Sequence, residues 1–449
     1  MSAGEDTGLH IVGVGGAGYE EARRASVWNG RKPDQYPSCI VKVRDAAEVV
    51  AAVQLASERG LRVTIRSGGH GWTANHLRDG AMLIDMSLMT EIEIDPKTET
   101  AWVQPGVKGE QAIVALRSEG LFFTTGHCND VGLGGFVLGG GFGWMSRVHG
   151  YACTSVLAFD IVTADGELVR ADPSQNSDLY WAARGSGHGF FGVVTRIKLQ
   201  VYPDYPVTML SADVYPREAL DDVFRWLDTV VPELSPALEL RVNISLEHEG
   251  VEGVGLRVLG STFTRDVDQA RRNLAVLDTC PALPRAVSSI RHVRADVLDL
   301  VMASDDSCKP GKRMVADNMW TGASMEELLP GIRALADTMT RSSFVMWHVI
   351  GADPEPDPTM FHSMHDRYNV SVYAVYDDPD DDVSVGRWPQ ERIEEFGTLA
   401  RGIQLNDENL AARSGPVCSP AAATRYERIR AVHDPDGLFF GFRGDITTH

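Results

Sequence analysis

The feature that most constrains the fold of this chain is a glycine-rich stretch in its first third. From Gly126 to Gly143 the sequence reads GHCNDVGLGGFVLGGGFG, and eight of these eighteen residues are glycine. So much glycine costs backbone entropy and adds no side chains to a core. A backbone that wraps closely around a flat, charged ligand accounts for it. The stretch therefore predicts a cofactor-binding loop.

A second glycine loop follows a short β-rich run over residues 61–65. It reads RSGGHGW and begins at Arg66, where the strand is expected to end. Adjacent glycines let several backbone N–H groups converge on an anion such as a pyrophosphate, and Arg66 adds a charge-assisted donor. His70 is either an ordinary loop histidine or a ligand contact, and the loop alone leaves both possibilities open.

A third glycine pattern, Gly13-x-Gly15-x-x-Gly18, has the spacing of a dinucleotide fingerprint. That fingerprint requires a buried strand before it, a helix after it and an acidic residue about 20 residues further on. Only residues 10–12 can extend a strand here, and the loop-like segment WNGRKPDQYP follows. We therefore expect a flexible lead-in and no Rossmann domain.

Helices and strands alternate through the rest of the first half. Residues 44–60 have apolar residues at helical spacing, with Asp45 in the first turn and Gly60 as a stop. Further predicted elements are a strand at 81–87, a helix at 110–120, a hairpin with an Asp-Gly turn at 156–171, and a long strand at 192–203.

After Pro203 the pattern changes to strands that alternate apolar and polar residues, separated by amphipathic helices. The strand segments are LELRVNISLEHEG, GVGLRVLGSTF, SSFVMWHVIGA and RYNVSVYAVY. An open antiparallel sheet with helices on one face fits this pattern. The chain is therefore predicted to be α+β, with one domain at residues 1–205 and 406–449 and a second at 206–405.

Composition excludes several classes of partner. The 449 residues exceed one ordinary domain, and 42 Lys and Arg against 62 Asp and Glu give a net charge of −20. Such acidity argues against nucleic acid and anionic membranes. The sequence has no long apolar run and no secretory leader pattern, and its six cysteines form no C-x-x-C pair. We expect a cytoplasmic location and no metal site.

Five segments together resemble the berberine-bridge-enzyme-like branch of the vanillyl-alcohol-oxidase (PCMH-type) flavoproteins. They are RSGGHGW, GHCNDVGLGGFVLGGGFGW, FDIVTADGELVRA, YWAARGSGHGFFGVVTRIKLQVYP and HDPDGLFF. The resemblance covers most of residues 30–205 and the C-terminal helix. It implies a PCMH-type FAD-binding domain, a substrate domain with an antiparallel sheet backed by helices, and FAD as cofactor.

The resemblance also implies which residues hold FAD. His70 would bond the 8α-methyl carbon of the flavin, and Cys128 would bond its carbon 6, although Cys128 can also be an ordinary buried small residue. Val131 stands at the position that controls access of dioxygen in this family, and valine there favours an oxidase over a dehydrogenase. The other implied cofactor residues are Arg66, Ser67, Gly68, Gly69, Gly71, Gly126, Gly132, Gly134, Gly135, Gly139, Gly140, Val193, Val194 and Asn406.

The catalytic tyrosines that are frequent in the family are missing. Phe142 ends the glycine run in place of one, and Gln404 precedes Leu405-Asn406 in place of the other. Glutamine cannot act as a base at neutral pH. The replacement candidates, each of which can equally be structural, are Tyr151, His348 and Tyr368, the last beside His365 and Arg367. Candidate aromatic walls for a substrate are Trp320, Trp347 and Tyr368.

The expected reaction is a two-electron oxidation of a C–H bond next to oxygen or nitrogen, with dioxygen reduced to hydrogen peroxide. The expected substrate is a small-molecule alcohol, amine or natural-product intermediate. Three alternatives stay open: a carbohydrate oxidase, a flavin dehydrogenase that uses another acceptor, and a flavin-binding module without turnover.

Overall fold

A small, mostly parallel sheet opens the chain. A computed structural model describes residues 8–304, 311–351 and 357–446. The strands of this first sheet are β1 (His10–Gly13), β2 (Cys39–Lys42), β3 (Val63–Arg66) and β4 (Met82–Asp85). They lie in the order β1-β2-β4-β3, in which only the β1–β2 pair is antiparallel. The RSGGHGW loop therefore leaves the carboxyl end of a parallel strand, where ligands bind in such sheets.

The second sheet is antiparallel and has the strand order β5-β6-β10-β8-β9. Strands β7 and β11 form a separate two-stranded antiparallel ribbon. The strands are β5 (Ile92–Asp95), β6 (Thr100–Val103), β7 (Leu121–Phe122), β8 (Val156–Val162), β9 (Leu168–Ala171), β10 (Val193–Gln200) and β11 (Tyr202–Pro203).

A seven-stranded antiparallel sheet follows, in the order β15-β12-β14-β13-β17-β18-β16. Its strands are β12 (Val207–Pro216), β13 (Leu238–Ser245), β14 (Gly255–Thr264), β15 (Ser288–Ala295), β16 (Arg313–Thr321), β17 (Phe344–Val349) and β18 (Tyr368–Tyr376). One face packs against helices in a hydrophobic cluster. The opposite face lies against the glycine loops, where His348 of β17 contacts His127.

Thirteen α-helices are present in the described residues. The second begins after Asp45, whose carboxylate accepts the Glu48 N–H at 2.9 Å. The helices are α1 (Tyr19–Ala25), α2 (Ala46–Glu58), α3 (Gly109–Ser118), α4 (Leu133–Leu138), α5 (Ser146–His149), α6 (Ser177–Ala183), α7 (Leu220–Val230), α8 (Val267–Leu274), α9 (Val297–Ser304), α10 (Met325–Asp337), α11 (Asp381–Ser384), α12 (Trp388–Glu394) and α13 (Pro420–His433). Within the described ranges, none of these helices is long and apolar enough to cross a membrane.

Two large hydrophobic clusters organise the molecule. The first joins buried residues of 39–201 with Phe361 and residues of the C-terminal return, 403–446. The second is drawn from residues 207–396. The predicted domain boundaries at 205 and 406 stay a prediction, since the clusters assign cores and no boundary.

The N-terminal lead-in is the one segment whose predicted structure is wrong. Residues 10–25 form β1, a turn and α1, because Tyr19 is buried there and its hydroxyl donates to the Pro37 carbonyl at 2.5 Å. The Rossmann alternative fails as well, since β1 pairs antiparallel with β2 and a βαβ unit needs parallel strands. The sequence also missed β5, β12, β15 and β16, whereas α2, α3, β10 and the β8–β9 hairpin are confirmed.

Candidate cofactor and active site

The two glycine loops lie directly against each other. A β-carbon on Gly68 would stand 2.6 Å from the backbone nitrogen of Gly132, and one on Gly132 would stand 2.6 Å from the nitrogen of Gly68. Next to this contact the Gly135 N–H donates to Ser67 Oγ at 3.1 Å. Glycine is therefore required by the loop-to-loop contact itself, which the sequence did not predict.

The remaining predicted glycines fall into three groups. Gly134, Gly139 and Gly143 have no room for a side chain, because a β-carbon there would meet Pro105, Asn406 or Thr125 within 2.6 Å. Gly69 and Gly140 have φ of +71° and +102°, a region that side chains disfavour. The others are less constrained: a β-carbon on Gly126 would lie in ordinary contact with Phe136 at 3.4 Å and Val131 at 3.8 Å, and one on Gly71 would meet nothing within 4 Å.

A cavity of about 130 Å³ lies between the first glycine loop, α4 and the C-terminal return. The polar and glycine residues that line it include Thr64, Ser67, Asn75, His76, Arg78, Gly134, Gly135 and His188. Val194 lines it too, whereas Val193 is buried in the first core.

Unpaired polar atoms in this cavity show that it is built for a ligand. Thr64 Oγ1, Asn75 Oδ1 and His188 Nε2 are buried and find no hydrogen-bond partner among the described residues. Buried polar atoms are nearly always satisfied, so three such atoms in one cavity indicate a missing polar partner. Together with the glycine loops they fit the adenosine and pyrophosphate parts of FAD.

Arg66 has a different role from the predicted one. Its guanidinium forms an ion pair with the buried Asp85 at 2.8 Å and donates to the Gly68 carbonyl at 3.2 Å. Only Nε is left without a partner in the described structure. The charge of Arg66 therefore holds the loop in shape, and it is already paired before any anion binds.

His70 lies in an aromatic cage next to a carboxylate. Its ring stacks on Trp28 with centroids 4.3 Å apart and meets the edge of Trp72 at 5.7 Å. Its Nε2 is 3.1 Å from Asp130 Oδ1, an ion-pair distance without conventional hydrogen-bond alignment. Burial lowers the pKa of His70, but Asp130 and the neighbouring Cys128 outweigh it and leave that pKa raised.

Cys128 reaches the same aromatic group from the second loop. It packs, half-buried, against a cluster that contains Trp72 and Tyr373, and the His70 ring contacts Trp72 of the same cluster. No disulfide joins the five cysteines in the described ranges, and Cys308 lies outside them. The structure therefore brings the two predicted attachment residues together.

The segment 404–409 fastens both glycine loops to the seven-stranded sheet. Asn406 Nδ2 donates to the Phe136 carbonyl at 3.3 Å, behind the second loop. Asp407 accepts the Trp72 indole N–H and the Tyr373 hydroxyl, each at 2.6 Å. Trp28 and Asp407 were missed from sequence: Trp28 carries no local signal, and Asp407 directly follows the asparagine of the family motif.

On the seven-stranded sheet, strand alternation decides which candidate bases face the loops. Trp347 and Tyr368 pack together on the helix side, with ring centroids 5.8 Å apart. The Tyr368 hydroxyl donates to Asp228 at 3.0 Å. Tyr368 and Trp347 are therefore neither base nor substrate wall, since they lie on the wrong face of the sheet.

His348, next to Trp347 on β17, faces the loops. Its ring lies 5.0 Å from Phe142 and stacks on His127 at 5.6 Å. Burial lowers the pKa of His348 well below its ordinary value, so its imidazole is neutral. His127 in turn donates from Nε2 to Glu239 Oε1 of β13 at 2.7 Å.

Tyr151 lies on the other side of Phe142. Its ring is 6.3 Å from Phe142, 6.3 Å from Trp320 and 4.5 Å from His362. Burial raises the pKa of the Tyr151 phenol and lowers the pKa of His362 to about 3. Both groups are uncharged. Of the predicted aromatic walls, only Trp320 lies near the loops, where its ring contacts Tyr151, which in turn contacts His365.

The known proteins that this chain resembles agree with this geometry. The FAD binding domain family matches residues 37–172. An FAD-linked oxidoreductase of Hypoxylon pulicicidum is 30% identical over 425 residues, which cover 94% of each chain. The chain belongs to the FAD-linked oxidoreductases.

Solved structures show that this oxidoreductase has the berberine-bridge-enzyme-like fold. The 6-hydroxy-D-nicotine oxidase of Arthrobacter nicotinovorans has a TM-score of 0.84 at 21% identity and covers 99% of both chains. A berberine-bridge-enzyme-like protein of Physcomitrella patens has a TM-score of 0.84 at 19% identity, over 99% of this chain and 98% of that one. The predicted α+β fold is confirmed, and membership of the FAD-linked oxidoreductases sets aside a flavin-binding module without turnover.

Val131 occupies the bend of the second loop in this oxidoreductase. Its side chain is partly buried beside the first core, and a β-carbon on Gly126 would lie 3.8 Å from its own. Its carbonyl accepts the Gly109 N–H at 3.0 Å, so α3 fixes the bend. The predicted role of Val131 towards dioxygen stays a prediction.

Proposed function

We propose that this oxidoreductase is an oxidase that binds FAD covalently, with one bond to the flavin from His70 and one from Cys128. The observation that supports it is that both side chains contact one aromatic cluster, which includes Trp28 and Trp72, and that each belongs to one of two glycine loops in direct contact. A flavin ring bound between the two loops would lie beside both nucleophiles. Bound FAD supplies the two-electron chemistry, and the protein supplies placement.

Asp130 is placed to hold the proton of His70 on Nε2. An imidazole bonds to carbon only through a nitrogen lone pair. The Asp130 carboxylate, 3.1 Å from Nε2, favours the proton on that nitrogen and leaves the lone pair on Nδ1. Burial favours the neutral acid, but His70 and Lys108 hold the pKa of Asp130 below its usual value, so the carboxylate is ionised.

The proposed substrate is a small-molecule alcohol, amine or natural-product intermediate, with dioxygen as the final acceptor. Support comes from the surface between Phe142 and the sheet, which combines aromatic walls with uncharged polar groups. Trp320 and Phe142 supply flat apolar contacts, while His348 and Tyr151 supply polar atoms without described partners. Aromatic walls beside uncharged polar groups favour a partly aromatic substrate with a neutral polar group.

Acid precipitation tests the attachment. We expect the yellow colour to stay in the protein pellet of the wild type and of each single variant, His70→Ala and Cys128→Ala, and to enter the supernatant only in the double variant. Cys153→Ala is the matched control, because that thiol is fully buried in the core. Free flavin in the wild-type supernatant would overturn the covalent proposal.

Anaerobic bleaching tests the reaction. Primary and secondary alcohols, benzylic amines and a neutral oligosaccharide are mixed with the holoenzyme, and loss of flavin absorbance is followed. We expect bleaching by an alcohol or amine, and return of colour with one hydrogen peroxide per turnover when air is admitted. Bleaching without reoxidation by air would indicate a dehydrogenase instead.

A further inference from the structure

His127 and Glu239 form a buried imidazole–carboxylate pair at the junction of the second glycine loop and the sheet. Their side chains are 16% and 10% exposed, and Nε2 lies 2.7 Å from Oε1. His127 directly precedes Cys128 and its ring contacts Phe142, at 5.7 Å between centroids. With Nε2 engaged by the carboxylate, Nδ1 is the nitrogen left to accept a proton.

Three groups near Phe142 can be compared as proton acceptors. Tyr151 is a protonated phenol whose burial raises its pKa further, so it has no lone pair of useful basicity. His348 is neutral, but burial lowers its pKa and no carboxylate is bonded to it, so its protonated form is strongly disfavoured. Only His127 has a carboxylate that stabilises an imidazolium.

The Glu239 carboxylate is ionised. Burial favours its neutral form, but His127, Arg241 and Arg147 together hold the pKa of Glu239 below its usual value. The aromatic floor under His127 is Trp144, edge-on at 4.5 Å, and the Arg241 guanidinium lies 5.8 Å from that indole. Packing against Trp144 therefore holds His127 in place, and the neighbouring charges keep Glu239 ionised.

We propose that His127 is the base that accepts the hydroxyl or amine proton of the substrate, and that Glu239 is its positioning residue. This inference rests on the proposed oxidase function. The substrate carbon gives up a hydrogen with two electrons to the bound cofactor, its heteroatom proton goes to Nδ1, and a carbonyl or imine forms. The cofactor's electrons then go to dioxygen, and His127 returns its proton to solvent.

Stopped-flow flavin reduction tests the base, with the best substrate from the alcohol and amine series. We expect His127→Gln to slow reduction by about 10²- to 10⁴-fold while substrate binding changes less than threefold. The matched control is His433→Gln, which removes a histidine paired with Asp178 at the same 2.7 Å distance between α13 and α6. Reduction of the His127→Gln enzyme within threefold of wild type would overturn the proposal.

A pH profile tests the positioning role of Glu239. Glu239 and His348 lie against His127, Cys128 follows it in the chain, and Arg241 and Arg147 lie near Glu239. Glu239→Gln removes the carboxylate charge beside the proton acceptor, so we expect the plateau rate of reduction to fall about tenfold and the pH dependence of reduction to change. Glu239→Asp should restore part of both. An unchanged profile in Glu239→Gln would contradict the role.

Nitrogen NMR of histidine-labelled holoenzyme determines the tautomer of His127 without any substrate. The His127 signals, identified by their loss in His127→Gln, are expected to show the Nε2–H tautomer with a free Nδ1. A Nδ1–H tautomer would overturn the proposal even if an alcohol bleaches the flavin. If no compound bleaches the wild type, the oxidase function fails, whereas the NMR result still decides whether the pair is arranged as a base.

Discussion

The glycine loops and the loop-facing side of the seven-stranded sheet form the two walls of one site, and they are built differently. On the loop side, backbone meets backbone, as at Gly68 and Gly132, where no side chain fits. On the sheet side, side chains such as His348 and Glu239 project from alternate strand positions. The first wall tolerates almost no change, whereas the second can be refitted without altering the fold.

The segment 404–409 joins these two walls. Asn406 fastens the second loop, Asp407 ties the first loop to Tyr373 of β18, and Glu408 accepts from Thr73 at 2.9 Å. A cofactor wall made of glycine has few side chains with which to hold itself to the sheet. The polar segment supplies that connection from outside both loops.

Gly132→Ala, a change in the glycine wall, is expected to have the largest effect on stability and flavin binding. The added methyl group would meet backbone atoms of Gly68 at 2.6 and 2.7 Å, and backbone cannot move aside as a side chain can. We expect a loss of about 3 kcal/mol in the free energy of unfolding and little bound flavin, measured by urea denaturation and absorbance. Gly71→Ala, with nothing within 4 Å, is the control, and equal stability of the two variants would contradict the comparison.

Asp407→Asn tests the connection between the walls. The amide can accept from the Trp72 indole, but its N–H₂ only donates, so the Tyr373 hydroxyl must turn to accept and both bonds lose their charge assistance. We expect a loss of about 2 kcal/mol, measured by urea denaturation. In a double-mutant cycle with Tyr373→Phe, the two losses should be less than additive. Full additivity would show that the Asp407–Tyr373 contact carries no energy.

Asp130→Asn tests the chemistry at the loop tip. Asp130 is the strongest influence that raises the pKa of His70, against the lowering effect of burial. Without it, we expect the pKa of His70 to fall, so that attachment of FAD to apoprotein proceeds at lower pH than in the wild type. In-gel flavin fluorescence over time at several pH values measures this. A midpoint that stays in place would remove Asp130 from the attachment step.

Tyr368→Phe should have the smallest effect. The tyrosine lies on the helix side of the sheet, and the substitution removes the hydroxyl that donates to Asp228. We expect a loss of about 1 kcal/mol of stability with flavin content and reduction rate within twofold of wild type. A tenfold slower flavin reduction would show that Tyr368, on the helix side of the sheet, contributes to the reaction.

The loops were predictable from sequence because their requirement is local. Double glycines after a strand, and eight glycines in eighteen residues, indicate a backbone that closely approaches a ligand, because glycine adds nothing to a core. The sheet side was predictable only as strands. The segment YNVSVYAVY indicates β-structure, but all nine of its residues are buried in the structure, so neither periodicity nor composition tells which face meets the loops. That is why Tyr368 was chosen and Glu239 was missed.

The sequence by itself indicated the cofactor: the glycine loops predicted a bound cofactor, and their resemblance to a flavoprotein family implied FAD with His70 and Cys128 as its attachment residues. Only the tertiary structure decided how the second wall is arranged. His127 and Glu239 are 112 residues apart in the chain and meet through a pairing of loop and strand. Backbone conformation is encoded by nearby residues, whereas a proton-accepting pair depends on register and packing across the whole fold.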